Sequence, residues 1–194
     1  MFSGSLIDRK GVDLLATAFC RLAAEDPTVR LTLMGEGELR PNLEKQLADY
    51  GDRVHWVGFQ QWTQLPQIYR TADVLCVPSR YDGWALVVPE GLATGLPVIS
   101  TERTGAALEL IRHQENGWLI PPGSEQSLYQ SMKQAAGLSS AELRNYSQAA
   151  WQTIADHSLK NGVIRFHQAV SATLSDPVFV QPQAKREPLH IKSG

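Results

Sequence analysis

The chain has 194 residues, a length that fits one domain with a tail and is too short for two nucleotide-fold domains in tandem. Apolar residues make up 43% and charged residues 20%, with 15 Gly and 11 Pro, which excludes collagen, a coiled coil and wholesale disorder. The formal net charge of -2 gives no basic excess for nucleic acid or anionic lipid, so any anion site has to be local.

Short apolar runs alternate with helical patterns. Phe2 to Leu6 reads as a strand, and Val12, Leu15, Phe19 and Leu22 then recur at helical spacing. Val29 to Met34 is a strand that stops at Gly35, and residues 38–50 follow as a helix. Val54 to Val57 is a short strand ending at Gly58. Leu65, Ile68, Tyr69 and Ala72 mark a helix, and Ala72 to Val77 a buried strand closed by Pro78-Ser79. A helix starts near Pro89-Glu90 and ends at Gly95; a strand from Pro97 to Ser100, a helix from Gly105 to Arg112 and a strand from Trp118 to Ile120 complete the alternation. From Ser124 onward the pattern is helical. Its stripes are Leu128, Met132 and Ala135; Leu143, Tyr146, Ala150 and Ile154; and Leu159, Val163, Phe166, Val170 and Leu174. Each is expected to face a core. Residues 176–194 are rich in Pro and charge and lack periodicity, so a mobile tail is expected after a domain of residues 1–175.

The alternation predicts an α/β fold, a Rossmann-like parallel sheet with helices on both faces. Near-continuous apolar strands such as Val74-Leu75-Cys76-Val77 suit a sheet buried on both sides. Such sheets bind ligands outside the carboxyl ends of their strands, which makes every loop after a strand a candidate site.

Several familiar chemistries are absent. Gly35-Glu36-Gly37-Glu38 follows a strand, but the third glycine of a dinucleotide fingerprint would fall on Arg40, and a tight strand-to-helix turn is the better account. There is no Gly-Lys-Ser/Thr phosphate loop and no Gly-x-Ser-x-Gly elbow. His55, His113, His157, His167 and His190 have no partners at metal-ligand spacing. Cys20 and Cys76 sit in apolar frames and read as small hydrophobes in a reducing compartment. The first residues lack a signal peptide's positive region, and no apolar run approaches the ~18 residues of a membrane helix, so a cytoplasmic protein is expected, peripheral at most to a membrane.

The segment from Pro78 to Ser100 carries the chemistry. A strand ends at Val77, a glycine-containing loop follows, and a helix opens with Pro89 and Glu90 in its first turn, where proline and a carboxylate are both favoured. Free N–H groups of such a loop and first turn can hold a phosphate. Asp82 and Glu90, with seven residues between them, frame it. Like charges repel, so neither acid suits a phosphate, but both can accept from hydroxyls. Two such acids around an amide-lined anion hole describe a receptor for a sugar joined to a phosphate. Near the start, Gly4-Ser5-Leu6 closes the first strand and Asp8-Arg9-Lys10-Gly11 leads into a helix. Arg9 and Lys10 can reach phosphate oxygens there, through charge-assisted bonds of ~1.5–3 kcal/mol each.

These pieces stand in a specific order. They are Gly4-Ser5-Leu6, Arg9-Lys10-Gly11-Val12-Asp13-Leu14-Leu15, Leu33-Met34-Gly35-Glu36-Gly37, Val57-Gly58-Phe59, Ala72-Asp73-Val74, Pro78-Ser79, the acid-x7-acid block, Gly95-Leu96-Pro97-Val98-Ile99, and Glu109 with Asn116-Gly117 and Pro121. Over residues 1–175 the chain resembles the C-terminal, donor-binding half of a retaining glycosyltransferase with the GT-B fold, family four, also called glycosyl transferases group 1. The resemblance implies a catalytic set of Asp82, Glu90 and Lys10 and a donor-binding set of Arg9, Ser5, Gly83, Trp84, Ala85, Leu86 and Phe59.

By position, it implies that Lys10 contacts the donor's pyrophosphate, Asp82 the transferred sugar, Glu90 the ribose hydroxyls and the amides of residues 83–86 the phosphates, with Phe59 and Gln60 near the nucleobase or Phe59 packed in the core. The chain departs from the family in having Ser5 for Arg, Asp82 for Glu, Ala85 for Gly and Gly91 for Ala; Arg9 is expected to supply the charge Ser5 lacks. No metal and no cofactor are implied beyond the nucleotide-diphosphate sugar as substrate. An enzyme of this fold runs to about twice this length, so a missing N-terminal acceptor domain is the implied partner, and these residues alone are expected to bind donor weakly without transferring sugar. The alternatives are a stand-alone nucleotide-sugar binding module or subunit of a split enzyme, a structural remnant, and an epimerase, which would want a histidine acid–base site that is not apparent.

Overall fold

The computed structural model describes residues 1–175, and the tail expected at 176–194 lies outside them. Strands β1 (Phe2–Ser3), β2 (Leu31–Met34) and β3 (Val54–Gly58) form a parallel sheet in that order, with Phe2 opposite Leu33 and Leu31 opposite Val54. Strands β4 (Leu75–Val77), β5 (Val98–Thr101) and β6 (Gly117–Ile120) form a second parallel sheet, with Leu75 opposite Val98. Met1 joins the two. Its amino group donates to the Val74 carbonyl at 2.6 Å, and the Cys76 N–H donates to the Met1 carbonyl at 2.8 Å, the pattern of a parallel pair. The strands therefore run β3-β2-β1-β4-β5-β6, and the winding reverses between β1 and β4. At such a switch point the loops leaving the two central strands diverge and open a crevice beyond their carboxyl ends.

Alternation along the strands sorts the core into two layers. Phe2, Leu33, Cys76, Ile99 and Trp118 pack on one face with α1 (Val12–Glu25), α2 (Arg40–Gln46) and α6 (Glu125–Ala136). Met34, Leu75, Val77 and Val98 pack on the other with α3 (Leu65–Tyr69), α4 (Val87–Ala93), α5 (Gly105–Leu110) and Ala150 of α7 (Ser140–Ile154). This is the expected Rossmann-like α/β arrangement, with helices on both faces. The buried Val12, Leu15, Phe19 and Leu22 of α1 lie on one stripe at helical spacing.

Boundaries differ where local chemistry overrides pattern. The helix expected over 38–50 stops at Gln46, and a 3₁₀ helix, Ala48–Arg53, follows with a non-helical Tyr50 at φ -115°. The strand expected from Ala72 shortens to Leu75–Val77, with Asp73 exposed ahead of it. Of the helical stripes, Leu128, Ala135 and Ala150 are buried and Met132, Leu143, Tyr146 and Ile154 half-buried.

A separate unit begins at Asp156 and contains α8 (Leu159–Ser175). Leu159, Val163, Phe166, Val170 and Leu174 are exposed on it, so this stripe does not face a core among the described residues, contrary to expectation. Periodicity specifies a helix and its apolar side; what covers that side is a tertiary property.

Candidate functional site

Two loops meet at the switch point. The first leaves β1 and runs through the 3₁₀ helix Asp8–Lys10 to Gly11; the second leaves β4 and runs from Pro78 to Leu86. Gly11 makes the meeting possible. Its φ is +67°, and a Cβ there would lie 2.1 Å from the Pro78 carbonyl oxygen. The Arg80 N–H donates to the Arg9 carbonyl at 2.9 Å, and the Arg80 guanidinium forks onto both carboxylate oxygens of Asp13 on α1, at 2.8 and 2.6 Å. The β2 loop supports the first loop from the other side: the Leu6 N–H donates to the Glu36 carbonyl at 2.9 Å, and the Leu39 N–H to the Leu6 carbonyl at 3.0 Å. Gly35 and Gly37 serve this close approach, the turn expected in place of a dinucleotide fingerprint.

The loops bring Lys10, Arg9 and Asp82 together. The Lys10 ammonium donates to Asp82 Oδ2, and Arg9 Nη1 stands 3.8 Å from the same oxygen while donating to the Tyr81 carbonyl at 3.0 Å. The other carboxylate oxygen accepts the Trp84 N–H at 3.3 Å. The main chain of Asp82 is held against α5: its N–H donates to the Arg103 carbonyl at 2.9 Å, and its carbonyl accepts the Gly105 N–H at 3.1 Å. The Lys10 and Asp82 side chains are only 18% and 12% exposed. Burial pushes the Asp82 carboxyl up, but the Lys10 hydrogen bond and charge outweigh it and hold the group below its ordinary range. Asp13 is lowered the same way, its burial outweighed by Arg80.

The second loop then turns sharply. Ala85 has φ +65°, a left-handed conformation that costs a non-glycine residue ~1–2 kcal/mol, and its methyl is buried. Of the four amides expected to face a ligand, Trp84's is occupied by Asp82. Those of Gly83, Ala85 and Leu86 have no acceptor among the described residues. Helix α4 starts at Val87 rather than near Pro89, because the left-handed Ala85 places the turn earlier. Glu90 is in its first turn. The Glu90 carboxylate meets no cation among the described residues; its Oε2 accepts the Tyr69 hydroxyl at 2.9 Å, and that hydroxyl lies 3.2 Å from Ser3 Oγ.

The remaining candidates are more loosely placed. Ser5 is exposed, and its carbonyl accepts the Ile7 N–H. Trp84 and Leu86 are exposed on the second loop. Phe59 is exposed after β3, which decides against core packing, and Gln60 donates to the Val57 carbonyl. The pairs Arg80–Asp13 and Tyr69–Ser3 were not anticipated; each joins residues more than sixty positions apart and leaves no local pattern. Among the described residues no His, Cys, Asp or Glu side chains group in threes that could hold a metal ion. No described helix is long and apolar enough to cross a membrane. A groove of about 470 Å³ lined by Met1, Arg30, Asp73 and Leu143 among others lies at the opposite, amino ends of the central strands.

Residues 1–137 match the family model described as Glycosyl transferases group 1. The chain belongs to this family. An uncharacterized glycosyltransferase of Methanocaldococcus jannaschii is 33% identical over 124 residues, covering 62% of this chain and 31% of that protein. The C-terminal domain of the LpcC group 1 glycosyl transferase from Francisella tularensis superposes with a TM-score of 0.72 at 23% identity, covering 79% of this chain and 82% of that one. Anabaena HepE, solved in complex with UDP, gives a TM-score of 0.70 at 26% identity over 90% of this chain and 47% of its own. The fold is therefore that of the C-terminal half of a GT-B glycosyltransferase. This group 1 chain spans about a third of the length of curated relatives that it matches.

Proposed function

We propose that this chain is the donor-binding half of a retaining glycosyltransferase that moves a hexose from a nucleotide-diphosphate sugar to an acceptor hydroxyl, with the acceptor-binding domain outside these residues and no resident metal or cofactor. One observation carries the reading: Lys10 and Asp82, 72 residues apart, meet at the switch point beside three amides that have no acceptor among the described residues. UDP in the Anabaena HepE structure supports it.

In this reading the diphosphate lies against the Gly83, Ala85 and Leu86 amides and the Lys10 ammonium, which stabilise the charge that develops as the sugar leaves. Arg9 lends a second positive charge where Ser5 has none. Asp82 accepts from hydroxyls of the transferred sugar, and Glu90 from those of the ribose. An ionised carboxylate repels phosphate and only accepts hydrogen bonds, so a hydroxyl is its natural partner. Phe59 offers a flat face to the nucleobase. The acceptor hydroxyl attacks from the side the nucleotide leaves and gives its proton to the departing phosphate; Asp82 orients the sugar and is not a nucleophile.

Calorimetric titration with UDP, GDP, ADP and their sugars tests the assignment. At least one nucleoside diphosphate is expected to bind, with or without EDTA. Lys10→Ala is expected to weaken it about tenfold or more, the loss of one charge-assisted bond of ~1.5–3 kcal/mol. Failure of all three nucleotides to bind, or Lys10→Ala and Glu90→Ala proteins binding like the parent, would refute it. The isolated chain is expected to transfer no sugar.

A further inference from the structure

We propose that Tyr69 is a positioning residue that fixes the Glu90 carboxylate for the hydroxyls of the donor's pentose, an inference that rests on the donor-site reading above. Three elements converge on this point: Ser3 ends β1, Tyr69 ends α3 and Glu90 lies in the first turn of α4. Tyr69 is 1% exposed, and its hydroxyl lies 2.9 Å from Glu90 Oε2 and 3.2 Å from Ser3 Oγ. A phenol has one proton, and an ionised carboxylate can only accept. The Tyr69 proton is therefore directed at Glu90, and the Ser3 hydroxyl donates in turn to the Tyr69 oxygen.

The chain of bonds matters because the Glu90 carboxylate has no other restraint among the described residues. It lacks a cationic partner among the described residues, and a free glutamate side chain samples several rotamers whose loss costs up to ~2 kcal/mol on ordering. Tyr69 is held by the core that buries it, so it can impose one orientation. With Oε2 bound to the phenol, Oε1 is left for a ligand. The donor hydroxyls then meet a carboxylate already ordered, and selectivity for a pentose that carries them depends on a residue that never touches the ligand.

The test titrates the parent, Tyr69→Phe and Glu90→Gln proteins with UDP, GDP and ADP, each against its 2′,3′-dideoxy counterpart. The parent is expected to prefer the hydroxylated nucleotide. Tyr69→Phe is expected to weaken its binding about fivefold, a part of the ordering cost that the phenol otherwise bears, and to leave dideoxynucleotide binding unchanged. A general loss of structure would weaken both ligands alike and overturn the inference. Should Glu90→Gln abolish the preference while Tyr69→Phe retains it in full, Tyr69 is not positioning and the donor-site reading survives. Should Glu90→Gln retain the preference, or no nucleotide bind, the reading of Glu90 fails and this inference with it. Ser3→Ala, which removes the hydroxyl behind the phenol without disturbing the core, is the second variant. It is expected to cut the preference about twofold, less than a full hydrogen bond because the Tyr69–Glu90 contact remains.

Discussion

Gly11→Ala would test how the two site loops are held together. The added methyl would stand 2.1 Å from the Pro78 oxygen, whereas real Cβ contacts essentially never fall below 3.0 Å, so one loop must retreat by about 1 Å. The left-handed conformation at φ +67° adds ~1–2 kcal/mol for any residue with a Cβ. The retreat also stretches the 2.9 Å bond from the Arg80 N–H to the Arg9 carbonyl, a loss of ~1 kcal/mol. Together these give about 2–3 kcal/mol, or a melting temperature lower by roughly 4–12 °C for a domain of this size. The same retreat draws Lys10 away from the Gly83, Ala85 and Leu86 amides of the second loop, so nucleoside diphosphate affinity, measured well below the melting transition, is expected to fall about tenfold. Gly51→Ala is the control, because a Cβ there meets nothing within 4 Å; its effect is expected within about 0.5 kcal/mol. A Gly11→Ala protein that melts within ~2 °C of the parent and binds equally well would refute the argument.

Two further outcomes follow from the same loops. Ala85→Gly relieves the left-handed strain of ~1–2 kcal/mol but loses a buried methyl and frees the unfolded chain, so stability is expected to change by less than about 1 kcal/mol in a denaturant titration; a loss above ~2 kcal/mol would contradict the strain. Asp82 and Asp13 have folded-state pKa values below the ordinary ~3.9, so the stability they contribute is fully present above that value and is lost as pH falls through the folded values. The melting temperature of the parent is therefore expected to drop more steeply below about pH 4 than that of Arg80→Met, in which Asp13 returns toward its ordinary range. Parallel curves would show that Arg80 does not hold Asp13.

The alternation of strands and helices was legible because each element carries its own period. The candidate site was legible in part for the same reason: Lys10, Asp82 and Glu90 all follow strands, and a strand's carboxyl end is where such a fold exposes loops that can face a ligand. What stayed hidden depends on contact between distant segments. Arg80 reads as a loop cation until α1 brings Asp13 beneath it, and Tyr69 reads as a helical core residue until Glu90 arrives from α4. The early start of α4 was hidden because nothing in the residue type announces that Ala85 will turn left-handed. The α8 stripe shows the converse: five apolar residues at helical spacing fix the helix, yet among the described residues they remain exposed.

The pairing of Lys10 with Asp82 makes the carboxylate a built-in counter-ion. In the donor-site reading, an incoming anion has to displace a rival already seated on the ammonium. Bare pyrophosphate gains little from that exchange, because it leaves the Asp82 oxygens stranded beside added negative charge. A ligand that brings hydroxyl protons along with its phosphates offers both former partners a replacement at once. In the donor-site reading, the resting contact would therefore act as a filter that rewards the conjoined molecule over either of its halves.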